Sequence, residues 1–465
     1  MPSLKQVCLP VSKSLYIRKL ICDFLKCRPL DEVDDGFPAD VLIVRDCLAR
    51  IAEAESGQNP ADKPVCIDVR DCGAAYRFLM AVLAITPGQW LLTGTERLLH
   101  RPIEELVEAL RSIGADVQYC PRRDEACPVS TDMEYVGFWL IHGKTLHASE
   151  MTIDCTRSGQ FATALLLIAD KIGLQELHIQ PERPSSVAYI DMTKAVIKGE
   201  ADLTPQRLGD WSAAVYWYAR LLLSRQKANG QLSAGVTSDD PPASKGETIP
   251  DSYKLLRLDL HSIQSDAVLV RWFSEWGIVS RQEEDGVVIS YNECFIKRQE
   301  VIELDMSQNV DLVPVLACMA CLWPKKLIFN GVANLKYKES DRLQIIQKQL
   351  STFADVELNA YNGVVDNQLV INPRRDRACP VSDSGGALSH RDRACPVSTG
   401  CSNGNNANCS GAGFVFDAHN DHRFVMGFSL FSLRGMVYVK GFDSVKKSYP
   451  NFYAEGVVGG TDIVG

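Results

Sequence analysis

The chain has 465 residues, 46% of them hydrophobic and 23% charged, with a net charge of −9. That length exceeds what one hydrophobic core usually supports and predicts two domains of roughly 200 residues each. The composition supplies an ample core without a run of 18 apolar residues to cross a bilayer, and the acidic balance argues against a basic nucleic-acid surface. A soluble protein with no membrane or nucleic-acid partner is expected.

In chain order, the start MPSLKQVCLPVSKSLYIRKL lacks an apolar export segment, so a cytoplasmic location is expected. Two kinds of helical segment then alternate. The first kind is amphipathic and runs into a strand: VLIVRDCLARIAEA, RPIEELVEALRSIGADV, YIDMTKAVIKGEADL (189–203), SDAVLVRWFSEWGIVS (265–280) and SDRLQIIQKQLSTFADVEL (340–358). In the second of these, Ile103, Leu106, Val107, Leu110 and Ile113 form one stripe that stops at Gly114. The second kind is apolar on nearly all sides and opens with a polar cluster: KSLYIRKLICDFL, DCGAAYRFLMAVLAI, SGQFATALLLIAD, DWSAAVYWYARLLL, DLVPVLACMACLW and NDHRFVMGFSLFSL. Such helices are buried, and six N-termini carrying Lys, Arg, Ser, Gln and Asp are expected to converge on one cleft suited to a doubly anionic ligand. Three helix–strand repeats per half imply two similar α/β domains, with the seam near Leu208.

The sixteen cysteines are scattered and read as free thiols. Cys318 and Cys321 lie in an apolar stretch and read as core. The aromatic run Trp211–Tyr218 also reads as core packing, and the cluster Asp417–His422 lacks further ligands for a metal. Three near-copies of one nonapeptide, at 123–131, 375–383 and 391–399, interrupt the pattern; 123–131 and 374–411 read as inserted surface loops.

The candidate chemistry lies in the polar clusters. Lys13, Arg18, Arg77, Arg101, Lys338, Arg342, Arg423 and Lys447 supply cations for phosphate and carboxylate, and Asp311 and Glu339 are candidate acid/base groups.

Eight segments follow one another in order: Ser12-Lys-Ser-Leu-Tyr-Ile-Arg18, Asp71-Cys-Gly-Ala-Ala-Tyr-Arg77, Arg101-Pro-Ile, Ser158-Gly-Gln160, Ser186-Val-Ala-Tyr-Ile-Asp191, Asn334 to Arg342, Asp421-His-Arg423 and Lys447-Ser-Tyr-Pro450. Together they resemble motifs of the enolpyruvyl transferases that make 5-enolpyruvylshikimate-3-phosphate, the EPSP synthase family. The resemblance runs from residue 9 to about 453. It implies an inside-out α/β barrel fold: two similar domains, each of three βαβαββ units with buried central helices. Residues 11–208 would form the shikimate-3-phosphate side, and 1–10 with 209–465 the phosphoenolpyruvate side.

The resemblance also implies the activity: transfer of the enolpyruvyl group of phosphoenolpyruvate to the 5-hydroxyl of shikimate-3-phosphate through a tetrahedral intermediate, by a monomer without cofactor or metal. Shikimate-3-phosphate would be held by Lys13, Ser14, Arg18, Ser158, Gln160, Ser186, Tyr189, Asp311, Asn334 and Lys338. Phosphoenolpyruvate would be held by Lys13, Asp71, Gly73, Arg101, Gln160, Arg342, Arg423 and Lys447. Asp311 would take the hydroxyl proton, and Glu339 with Lys13 would handle the methylene carbon.

Several positions depart from the family pattern: Tyr16 and Ile17 for Ser and Asn, Asp71 for Asn, Ala74 for Thr, and Gly159 for Ser. Asp71 would repel an anion unless protonated or paired with Arg77 or Arg101. The alternatives are a weakly active or non-catalytic binder of phosphorylated metabolites, and the sister transferase acting on UDP-N-acetylglucosamine. The latter typically uses a loop cysteine that GTERLLHRPIEEL lacks before Arg101.

Overall fold

The computed structural model describes residues 3–57, 64–121, 137–181, 187–228, 250–297, 299–374 and 414–456. All three nonapeptide copies, the 374–411 insert beyond Arg374, and Ser186 lie outside the described residues. The chain divides into two compact units, one of Val11–Leu208 with Ile263–Ser265, the other of Met1–Pro10, Gly209–Ser262 and Asp266–Gly465. Each has its own hydrophobic core.

One strand pattern recurs. In the unit Val11–Leu208, Val65–Asp68 pairs in parallel with Gly88–Thr93, which pairs antiparallel with Gly137–Gly143, which pairs antiparallel with Asp116–Pro121. The other unit builds two sheets on the same plan. One is ordered Leu4–Cys8, Ser252–Leu256, Gly286–Tyr291, Ile278–Glu283. The other is ordered Val301–Asp305, Lys326–Asn330, Val364–Pro373, Ala354–Tyr361. Shortened copies keep only the parallel pair, Glu150–Asp154 with Glu176–Gln180 and Phe414–Asp417 with Val437–Lys440. Among the described residues the repeat is therefore complete three times and shortened twice.

Parallel strands need a crossover, and a helix supplies it. The crossover helices are the apolar segments: Gly73–Ile85, Gln160–Ile172, Trp211–Ala228, Val313–Leu322 and His422–Ser429. Every residue of Val313–Leu322 and of His422–Ser429 is buried, as expected of a helix with no polar face. Cys318 and Cys321 sit inside the first of these, where burial pushes both thiols up, Cys321 to about 12. Trp211, Tyr216, Trp217 and Tyr218 are fully buried, with the Tyr216 ring 5.2 Å from Trp217 and 5.0 Å from Phe452. None of the helices is long and apolar enough to cross a membrane, among the described residues.

The outer helices behave differently. Glu104–Ser112 buries Leu106, Val107, Ala109 and Leu110 and leaves its other face wet. Gly114 at φ +95° then turns the chain into Asp116–Pro121, a conformation that a residue with a Cβ adopts at a cost. The 189–203 segment corrects an expectation. Its helix, Val187–Lys198, runs into a turn rather than a strand. Asp202 accepts hydrogen bonds from Thr204 N–H and Oγ1, and Pro205 has no N–H to give a ladder.

Candidate active site

In the unit Val11–Leu208, three helices begin at residues singled out by sequence: Lys13–Leu25, Gly73–Ile85 and Gln160–Ile172. Each N-terminus leaves backbone N–H groups without intrahelical partners, which favours an anion. Lys13 is the first residue of its helix, and its Nζ lies 3.1 Å from Asp40 Oδ2. Asp40 is buried, and its Oδ1 has no hydrogen-bond partner.

Arg18, one turn further on, is also buried. Its Nε donates to Thr193 Oγ1 at 2.8 Å, Nη1 to the Ser14 carbonyl at 2.6 Å and Nη2 to the Tyr189 carbonyl at 3.3 Å. The guanidinium also faces the Phe78 and Tyr189 rings at 5.5 and 6.0 Å. All these partners are neutral. Burial, with no charged hydrogen-bond partner among the described residues, lowers the Arg18 pKa to about 10. A bound anion would remove that penalty, and the arrangement brings Ser14, Arg18 and Tyr189 to one place.

Gly73 and Arg101 form a second group. A Cβ built on Gly73 would meet the Arg101 guanidinium, with Cζ at 3.0 Å and Nη1 closer still. The glycine is thus required to seat Arg101, a nearer reason than the approach of a ligand. Arg101 Nε is buried and unpartnered. Beneath them, Arg77 joins three segments, donating to the Gly73 carbonyl at 3.1 Å, to Gln160 Oε1 at 2.9 Å and to the Pro102 carbonyl at 2.7 Å. Ser158 Oγ accepts from the Gln160 N–H at 3.3 Å. Asp71 is exposed at the turn before the helix Gly73–Ile85. Of the remaining departures, Tyr16 packs on Phe37 with ring centroids 5.1 Å apart and donates to Asp31 at 2.7 Å, while Ile17 and Ala74 join the apolar core.

The other unit carries a denser ionic network. Arg342, the first residue of the helix Arg342–Leu350, donates to Asp421 Oδ2 and Oδ1 at 2.8 and 3.2 Å, to Asp311 at 2.8 Å and to Glu339 at 2.8 Å. These bonds engage four of the five N–H groups a guanidinium offers. Lys338 Nζ stands 3.3 Å from Asp311. Burial alone would raise the Asp311 carboxyl. Lys338, Arg342 and Arg423 together outweigh that and hold it well below the ordinary carboxylate range. Asp421 caps the helix His422–Ser429 by accepting from the Arg423 N–H at 3.0 Å, and it accepts from Ser340 Oγ at 2.8 Å.

Arg423 is the counterpart of Arg101. It is buried, yet its Nε and Nη1 have no hydrogen-bond partner among the described residues. Such a group is costly unless something binds it. Near it, buried Asp266 accepts from Asn309 Nδ2 at 2.9 Å and from Ser212 Oγ. Burial pushes Asp266 up to about 6, the Asp311 charge adds to this, and Asn309, Ser212 and Arg423 oppose it. This unit thus pairs one strongly ionised carboxylate with one poised to hold a proton, a pattern common where protons are moved.

The structure brings Asp311, Lys338, Glu339, Arg342 and Arg423 together. Asn334 lies in the short helical turn Ala333–Tyr337 just before Lys338, and Lys447 is buried at the end of Phe442–Lys447. Asp40, Asp266, Asn309 and Thr193 were not singled out by sequence. Each is a polar residue beside an apolar run, a pattern equally shared by ordinary helix caps. Asp417 accepts from the His419 N–H at 2.8 Å and pairs with Lys440 at 3.1 Å. Among the described residues, the group with metal-compatible spacing is the exposed trio Glu150, Glu176 and His178.

The family model described as EPSP synthase (3-phosphoshikimate 1-carboxyvinyltransferase) matches residues 41–206 and 254–369, more than half of the chain. A Bacteroides fragilis protein named 3-phosphoshikimate 1-carboxyvinyltransferase is 30% identical over 396 residues, covering 80% of this chain and 83% of that one. A Pyrococcus abyssi protein of the same name is 24% identical, covering 96% and 92%. Among solved structures, an EPSP synthase from Acinetobacter baumannii has the same fold, with a TM-score of 0.57 at 15% identity over 98% of this chain and 95% of that one.

Proposed function

The chain belongs to the EPSP synthase family, and we propose from that premise that it transfers the enolpyruvyl group of phosphoenolpyruvate to the 5-hydroxyl of shikimate-3-phosphate, releasing phosphate. The observation that carries the reading is Arg423, a buried guanidinium with two N–H-bearing nitrogens unpartnered among the described residues, beside one carboxylate held below and one held above the ordinary carboxylate range. A site with those properties is built to receive an anion and to move a proton near it.

Shikimate-3-phosphate is assigned to Lys13, Ser14, Arg18, Ser158, Gln160, Ser186, Tyr189, Asp311, Asn334 and Lys338. Arg18, whose bonds all go to neutral oxygens, gains most from its negative charge. Phosphoenolpyruvate is assigned to Lys13, Asp71, Gly73, Arg101, Gln160, Arg342, Arg423 and Lys447. Arg101 and Arg423 provide the unengaged donors, while Arg342 acts mainly by holding Asp311, Glu339 and Asp421 in register.

Asp311 takes the proton of the attacking hydroxyl, the oxygen bonds to the central carbon of phosphoenolpyruvate, and the terminal carbon gains a proton from Lys13 or Glu339. The tetrahedral adduct then expels phosphate as the same carbon returns a proton. In the ligand-free protein Asp311 is a weak base because three cations hold its pKa down. Anions bound to Lys338 and Arg423 offset those cations, so its basicity rises once the substrates are in place. The reading takes the chain to act as a cytoplasmic monomer.

The test is phosphate release by purified protein given phosphoenolpyruvate alone, with shikimate-3-phosphate, or with UDP-N-acetylglucosamine. Release only with shikimate-3-phosphate is expected. Release with the nucleotide sugar would transfer the protein to the sister activity, and binding of shikimate-3-phosphate without turnover would make it a non-catalytic binder.

A further inference from the structure

Two turns of the unit Val11–Leu208 carry assigned residues: one holds Arg101 and Pro102, the other Ser158 and Gln160. Arg77 ties them from within. A second arginine ties them from outside. Arg157, the residue before Ser158, donates from Nη2 to Glu104 at 2.8 Å and to Glu105 at 2.7 Å, and from Nε to the other Glu105 oxygen. Glu104 and Glu105 open the helix Glu104–Ser112, directly after Arg101-Pro102-Ile103. Glu104 also accepts from the Ile103 N–H at 3.2 Å, so the acidic pair is fixed to the backbone of the Arg101 turn.

We propose that Arg157 is a positioning residue that couples the turn bearing Arg101 to the turn bearing Ser158 and Gln160, and so sets the geometry offered to phosphoenolpyruvate. The proposal rests on the substrate assignment above. An exposed ion pair ordinarily contributes little, because water screens it and two long side chains must be ordered. This pair differs in three respects. Its contact with Glu105 is a two-pronged fork, which fixes direction as well as distance. Glu105 is largely buried, with 16% of its side chain exposed. It also bridges the same two turns that Arg77 joins, so loosening it leaves one strut where there were two. Small displacements of binding groups are enough to weaken a transfer reaction that depends on alignment.

The experiment compares Arg157→Ala, Arg157→Lys and the exchange Arg157→Glu with Glu105→Arg, in the full chain. The alanine variant is expected to raise KM for phosphoenolpyruvate roughly tenfold with kcat within about twofold, lysine to fall between, and the exchange to recover most of the loss. Hydrogen exchange supplies a readout independent of turnover. In Arg157→Ala, backbone amides of residues 99–106 and 156–161 are expected to exchange faster together, with the helix Val187–Lys198 unchanged. Unaltered exchange in either turn overturns the proposal, as does a lowered melting temperature with KM unchanged, which marks a merely structural strut. Wild-type protein that releases no phosphate would sink the functional reading instead, while the exchange arm still decides the coupling.

Discussion

Arg18, one turn into its helix, and Arg342, the first residue of its own, are both buried guanidiniums, 3% and 1% exposed, yet their surroundings are opposite. Every hydrogen bond of Arg18 goes to a neutral oxygen. Arg342 is met by Asp311, Glu339 and Asp421. Burial lowers the Arg18 pKa, whereas at Arg342 the three carboxylates overcome burial and raise it. The same residue type thus meets two environments: one guanidinium is hydrogen-bonded to neutral oxygens alone, and the other completes a network of three carboxylates.

The comparison breaks most visibly at Arg342. Arg342→Ala leaves Asp421 buried and without its ionic partner, and unfolding in urea should show a loss of about 3–5 kcal/mol. Adding Asp421→Asn should restore part of that loss, because the stranded charge is the main penalty. A loss under about 1 kcal/mol would refute the structural role. Arg18→Met should do the reverse. The free protein keeps or gains stability, since an unpaired buried charge is removed, while calorimetry should show shikimate-3-phosphate binding weakened on the order of 100-fold, about 2.7 kcal/mol. Equal loss of stability in both variants would erase the contrast.

Acid and base behaviour sharpens it further within one unit. Asp311 is depressed in the fold, so its contribution is present above the ordinary carboxylate range and is lost as pH falls. Asp266 is raised to about 6 from 3.8, so the fold favours its protonated form, and stability is lost as pH rises through that window. Asp266→Asn removes this opposing slope. The variant's stability relative to wild type should therefore climb by roughly 2–3 kcal/mol between pH 4 and 7. A flat difference across that range would mean Asp266 is not held protonated.

Much of this was legible from local pattern. The apolar segments mark their own burial, because a helix with no polar face must be covered on all sides, and the starts at Lys13, Gly73 and Gln160 follow from the polar residues that open them. What stayed hidden depends on distant partners. Arg342 looks like any helix-start arginine until Asp421, 79 positions away, is folded against it. Asp266 looks like a cap until Asn309 and the Asp311 charge surround it. The low pKa of Asp311 likewise belongs to three cations brought in by two other segments, Lys338 and Arg342 from one and Arg423 from the other. That Arg101 packs so closely on Gly73 that a Cβ there would strike its guanidinium is a contact between separate segments and stayed hidden as well.

Tyr16 and Ile17 test whether departures from the family pattern disturb the site or are absorbed around it. Tyr16 occupies the turn between Lys13 and Arg18, yet its ring lies on Phe37 and its hydroxyl donates to Asp31, which also accepts from Lys19 at 2.7 Å. The bulk is thus accommodated by the segment after the helix rather than by the anion-binding groups, and Ile17 is buried in the apolar core. Tyr16→Phe keeps the ring and removes the one hydrogen bond to Asp31, so it should lower stability by about 0.5–1.5 kcal/mol and leave KM for both substrates within about twofold. A KM that moves while stability stays fixed would place the hydroxyl in ligand binding and bring Tyr16 into the same class as Arg18.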